Sequence, residues 1–132
     1  FELGIPMFPG NYAADDDAKW DAALRGEFDA HFRTLAANLV AAGFGRAKLR
    51  LAWEFNGTGG QFPWHIQLGD AARQQALAGK FSSFWQRIHG LMRVRGAAFT
   101  WVWCPMVSEC GGYDPAIAWP GDAFVDVVSV DV

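Results

Sequence analysis

Short apolar runs alternate along this chain with long amphipathic stretches, and that alternation restricts the fold more than any other feature. The runs are Phe1 to Phe8, Lys48 to Glu54, Phe99 to Cys104 and Val125 to Asp131. Between the first two, Trp20, Leu24, Phe28, Phe32, Leu35, Leu39 and Val40 recur at steps of three and four, which predicts one long helix with a continuous apolar face. Asp15, Asp16 and Asp17 supply acceptors and negative charge at its start, and Gly43 and Gly45 supply a stop. Leu77, Phe81, Phe84, Trp85, Ile88, Leu91 and Met92 repeat the pattern in a second helix that ends near Gly96.

The order is strand, helix, strand, helix, strand, strand. Strands joined by helices require parallel crossovers, which leaves an α/β fold, either a doubly wound sheet or part of an eight-fold barrel. The connectors decide between them. Glu54 to Asp70 and Pro105 to Asp122 are long and rich in Trp, Pro and Gly, whereas Gly45-Arg46-Ala47 and Gly96-Ala97-Ala98 are short. Long loops after the strands and tight ones before them are the asymmetry of a (β/α)8 TIM barrel enzyme. The expected fold is therefore a partial (β/α)8 barrel with parallel strands. At 132 residues and 52% hydrophobic, the chain has enough apolar material for a globular core.

Several functions are excluded by composition. The net charge is −3 and the basic residues are scattered, so no stripe exists to neutralise phosphates and no nucleic-acid partner is expected. No run approaches the roughly 18 apolar residues of a membrane helix, and no membrane partner is expected. His31, His65 and His89 lack metal-ligand spacing, and neither a phosphate-cradling glycine loop nor a nucleophile elbow occurs, so no metal and no cofactor are expected. Cys104 and Cys110 are separated by a short loop and form a possible disulfide in an oxidising compartment.

The chemistry concentrates where the second strand ends. In Lys48-Leu49-Arg50-Leu51-Ala52-Trp53-Glu54-Phe55-Asn56-Gly57, strand alternation puts Arg50, Ala52 and Glu54 on one side and Leu49, Leu51 and Trp53 on the other. Glu54 is thereby a candidate for proton transfer, or a strand-terminal glutamate that merely meets solvent. A carboxyl serves as general acid near neutral pH only if its surroundings raise its pKa; Trp53, Phe55 and Trp64 offer desolvation, and Arg50 opposes it. Arg50 itself needs a carboxylate partner, either to position that carboxylate or as a structural ion pair. Asn56 fits a ligand-orienting amide or a plain turn residue, and Asn56-Gly57-Thr58 also matches a glycosylation acceptor.

Seven tryptophans exceed what packing requires. Trp64, Trp103 and Trp119 fall at or just beyond strand ends, where flat indole faces can stack on sugar rings, whereas Trp20, Trp85 and Trp101 read as core. Asp131, at the tip of the last strand, points into the same mouth as Glu54 if its face is the barrel interior.

These elements together resemble glycoside hydrolase family 26, the β-mannanase family. The resemblance is carried by Leu49-Arg50-Leu51-Ala52-Trp53-Glu54-Phe55-Asn56-Gly57, Pro63-Trp64, Phe84-Trp85-Gln86-Arg87-Ile88, Phe99-Thr100-Trp101-Val102-Trp103-Cys104-Pro105, Trp119-Pro120-Gly121-Asp122 and the closing Val125 to Asp131. It implies a barrel that cleaves β-1,4-mannosidic bonds with retention, with residues 1–132 as the central part of a single catalytic domain, strands three to six, truncated at both ends. Glu54 then matches the acid/base glutamate. Trp53, Asn56, Trp64, Trp103, Trp119 and Asp131 become substrate-binding residues, and Arg50 a structural support. Many members carry His where this chain has Trp53. The nucleophile of the family comes from strand seven, outside this chain, and Glu109 matches nothing catalytic. The isolated chain is thus expected to be inactive, the partner a β-glycan such as mannan, and the location secreted. The alternatives are a hydrolase of another β-glycan, such as β-1,3-xylan or mixed-linkage glucan, and a non-catalytic carbohydrate-binding relative.

Overall fold

The computed structural model describes residues 1–57, 61–107 and 114–132. Four strands, β1 (Glu2–Ile5), β2 (Lys48–Leu51), β3 (Thr100–Trp103) and β4 (Val127–Val128), form one sheet in the order β1-β2-β3-β4. Every pairing is parallel. Strands that succeed one another in space as they do in sequence never reverse direction of travel across the sheet, which is barrel order rather than doubly wound order. The molecule is an α/β fold, a section of a (β/α)8 barrel.

Alternation along the strands sorts the two faces as expected. Leu49 and Leu51 are fully buried on the helix side, while Lys48, Arg50 and the β1 residues Glu2 and Gly4 occupy the opposite, inner face. Over the helix side lie α1 (Ala18–Leu24), α2 (Asp29–Ala41) and α3 (Ala71–Leu91). Their stripes meet in an aromatic core. Trp20, Phe32, Phe81, Phe84 and Trp85 are all fully buried in it, with Trp101 beside Trp85. Trp20, Trp85 and Trp101 are core residues, as their positions in the pattern foretold.

The single long helix expected over Trp20 to Val40 is two helices. The chain breaks at Gly26, whose φ of +93° lies in the left-handed region. A Cβ there would stand 2.6 Å from Arg87 Nη2. That guanidinium is engaged: its Nε and Nη2 donate to the two Asp29 oxygens, each at 2.7 Å, which ties α3 to the first turn of α2. The apolar stripe could not reveal the break because both helices keep the same side toward the sheet.

The aspartates before α1 act as their composition suggested, through one of them. Asp16 accepts from the Ala18 amide at 3.1 Å, and Asp17 makes no capping bond. Lys19 then reverses into the preceding loop. Its buried ammonium donates to the carbonyls of Ala13, Ala14 and Asp16 at 2.9–3.0 Å. Two short 3₁₀ turns, Pro115–Ala118 and Asp122–Phe124, precede β4.

Candidate active site

The decisive geometry lies just past β2. The pairing of Arg50 with Val102, continued regularly, would bring the amide of residue 53 to the carbonyl of Cys104. Instead the Glu54 amide makes that bond, at 2.8 Å. One extra residue has been inserted, a β-bulge at Ala52 and Trp53, and φ is +47° at Ala52 and +55° at Glu54. The strand therefore ends at Leu51 rather than at Glu54, yet the left-handed residues restore the direction that alternation alone assigned to Glu54. Two non-glycine residues in this region mark strain that the surrounding packing must hold in place.

Packing does hold it. Ala52 and Phe55 are fully buried, and the Phe55 ring lies between Phe81 and Trp103. Asn56 is only 2% exposed. Its amide nitrogen donates to the Met106 carbonyl and its amide oxygen accepts from the Met106 N–H, both at 2.8 Å. Asn56 thus clamps the loop after β2 to the loop after β3, and its burial leaves the amide almost no surface with which to orient a ligand. The same burial takes the nitrogen out of use as a glycan acceptor; Thr58 lies outside the described residues.

Glu54 meets Asp131 within hydrogen-bond reach. Asp131 is brought there by β4 and by a parallel bridge to Met106, with its amide donating to Pro105 at 3.1 Å. Arg50 Nη1 donates to both Asp131 oxygens at 3.0 Å, and its Nε lies 3.6 Å from Glu2. Burial raises the Glu54 pKa above the ordinary glutamate range, the hydrogen bond and charge of Asp131 raise it further, and Arg50 acts against them. A carboxyl so placed retains its proton to higher pH than a solvated one. Glu2 is the member of this cluster that the sequence did not flag; its signal was period-two alternation, usable only once β1 is known to pair with β2.

The tryptophans divide. Trp53, which alternation assigned to the side of Leu49 and Leu51, is instead turned by the bulge to the inner face, half-buried, its ring 3.1 Å from where a Cβ on Gly4 would stand and 5.9 Å from the Arg50 guanidinium. Trp64 donates its indole N–H to the Trp53 carbonyl at 2.8 Å and stacks on Phe62 with 4° between planes. Trp64 also lines a cavity of about 570 Å³ at the carboxyl end of β1, with Pro6, Phe8, Pro9 and His31. Trp103 shares a strand face with Trp101 and is 6% exposed, packed edge-on against Trp119 at 5.1 Å. The structure therefore places Trp103 on the helix side, because residues two apart in a strand cannot face opposite ways. Trp119 is half-buried, its indole donating to Asp122 at 3.0 Å.

His65 is buried behind the Glu54 backbone, neither ring nitrogen making a hydrogen bond among the described residues; burial lowers its pKa and the nearby Glu54 backbone opposes this. Cys104 is a buried free thiol among the described residues, 3.8 Å from Arg50 Nη1, and burial pushes its pKa up. Its candidate partner Cys110 lies outside the described residues, as does Glu109. Among the described residues no group of three or more His, Cys, Asp or Glu side chains is placed to hold a metal ion, and no helix is long and apolar enough to cross a membrane.

The same backbone occurs in solved structures. Mannanase man26 of Bacillus subtilis superposes on 98% of this chain with a TM-score of 0.69 and 16% identity. The YdhT protein from Bacillus subtilis covers 97% with a TM-score of 0.71 and 16% identity, and Bacillus subtilis mannanase BCman covers 98% with 0.68 and 15%. At these identities the likeness is one of fold. The chain spans 42% of the length of each. No protein-family model matches the chain, and no curated protein does.

Proposed function

We propose that this chain is the acid/base-bearing section of a retaining endo-β-1,4-mannanase of the family 26 type, a secreted or extracellular glycoside hydrolase acting on mannan. One observation carries the reading: Glu54 stands on a strained bulge at the carboxyl end of a parallel barrel strand, facing the carboxylate of Asp131 in surroundings that raise its pKa. That is the direction in which a carboxyl must shift to act as a general acid near neutral pH. The backbone shared with two mannanases supports the substrate class.

In the proposed reaction, Glu54 donates its proton to the glycosidic oxygen as the bond to the anomeric carbon breaks. A second carboxylate attacks that carbon from the opposite face, forming a glycosyl-enzyme. Glu54, now ionised, removes a proton from the water that releases the sugar. Asp131 does not serve as the nucleophile: retaining pairs are separated by roughly 5 Å to admit the sugar between them, and these two carboxyls touch. The nucleophile is assigned to strand seven of the complete barrel, so the 132-residue chain alone turns nothing over. Trp53 forms the wall of the cleft beside Arg50, where its ring is accessible on the inner face.

The test is hydrolysis by the complete protein on mannan, β-1,3-xylan and lichenan. Mannan is expected to be cleaved with Glu54→Gln lowering kcat by about 10² or more. Cleavage of another glycan alone would reassign the substrate; sugar binding without cleavage of any would leave a carbohydrate-binding protein.

A further inference from the structure

Glu54 and Asp131 are two carboxyls in contact, and a hydrogen bond between them needs one proton. The position of Arg50 favours Glu54 as its carrier. Arg50 Nη1 lies 3.0 Å from both Asp131 oxygens, so the guanidinium neutralises Asp131 directly. Glu54 has no such cation in contact among the described residues. We propose that Asp131, gripped by Arg50, is the positioning residue that holds the Glu54 carboxyl and keeps it in its acid form, so that the pair sets the upper pH limit of turnover. This rests on the acid/base reading of Glu54 and gives Asp131 a different task from contacting sugar.

Three features support the assignment. Asp131 has both oxygens engaged by Arg50 and also meets Glu54, so its carboxylate is held in one place by its neighbours. Its backbone is fixed on both sides: the amide donates to Pro105 and the carbonyl accepts from Val107 at 3.0 Å. The Glu54 amide is fixed to Cys104 one residue away from that same segment, so the carboxyls approach on two rigid, hydrogen-bonded backbones rather than on free side chains. The charged and titratable groups around Glu54 come from every neighbouring element. They are Asp131 beyond β4, Arg50 on β2, Glu2 on β1 acting through Arg50, Cys104 beyond β3, and His65 behind the Glu54 carbonyl. Asp131 is the one that touches the Glu54 carboxyl.

The experiment is a titration of the Glu54 side-chain carboxyl by ¹³C NMR in the complete protein, run beside the pH profile of kcat/KM on mannan. Asp131→Asn removes the negative charge and offers an amide donor that favours the ionised glutamate. The Glu54 midpoint is expected to fall, and the alkaline limb of kcat/KM to move down with it, so that activity on the alkaline side drops roughly tenfold more than at the acid optimum. Asp131→Glu keeps a carboxylate within reach of Arg50 and should return the midpoint most of the way; it also controls for loss of fold. An unchanged Glu54 midpoint in a folded Asp131→Asn protein, with only KM raised, overturns the proposal and returns Asp131 to sugar contact. If the midpoint falls but no glycan is cleaved by the parent protein, the pairing stands and the hydrolase reading fails.

Discussion

At Glu54, function and stability pull in opposite directions. A carboxyl whose pKa is raised in the folded state binds its proton more tightly there than in the unfolded chain. The sign of its linkage follows: stability is lost as pH rises from the ordinary glutamate range through the raised value. Once pH passes the ordinary glutamate range, the raised pKa of Glu54 beside Asp131 is therefore a cost to the fold. Glu54→Gln should raise the melting temperature at pH 7, since the amide can donate to Asp131, and should do so less at pH 4; an equal or lower melting temperature at pH 7 would contradict the pairing. His65 works in the other direction. Its lowered pKa means that stability is lost as pH falls below about 6.5. Asn56 is a third case, stabilising at any pH. Asn56→Ala would leave the Met106 N–H and carbonyl without their side-chain partners, an expected loss of about 2 kcal/mol measurable by urea unfolding.

At the level of elements, Gly26 is the position where one residue keeps two helices apart. Gly26→Ala puts a methyl group 2.6 Å from Arg87 Nη2 at a φ of +93°, so either the backbone or the Arg87–Asp29 fork must yield. The expected destabilisation is about 1–3 kcal/mol, read by chemical denaturation, and it should shrink when Arg87 is already replaced by Ala. The helices, the strands and their parallel order were legible because periods of 3.6 and 2 survive any tertiary detail. The break at Gly26 was not, since an apolar stripe is blind to a bend that preserves its direction. The bulge was equally hidden: whether Ala52 and Trp53 share one rung depends on the Cys104 carbonyl, a partner 50 residues away. Hence Glu54, Asp131 and Arg50 could each be picked out along the chain, while Asn56 and Trp103 received cleft roles that their contacts deny. Their side chains are typical of a binding loop, but their orientation is fixed by Met106 and by the neighbouring Trp101.

Over the whole molecule, the open edge of the sheet distinguishes the 132-residue chain from the barrel it resembles. Val128 pairs in register with Trp103, so it faces the helix side, yet it is 57% exposed, and Val130 beyond it is 52% exposed. No described helix follows β4 to cover them. Beside them the outer amides and carbonyls of β4 form an edge that another chain can extend. Val128→Lys therefore has opposite consequences in two forms of the protein. In the 132-residue chain it places a charge on an exposed edge and should shift sedimentation toward monomer. In a complete barrel a following strand and helix would bury the same position. There the substitution forfeits the burial of a valine side chain, about 2 kcal/mol, and adds the desolvation of an ammonium. It should then lower the melting temperature by several degrees, and a melting temperature unchanged in the complete protein would mean that β4 is an edge there too and that the barrel does not close beyond it.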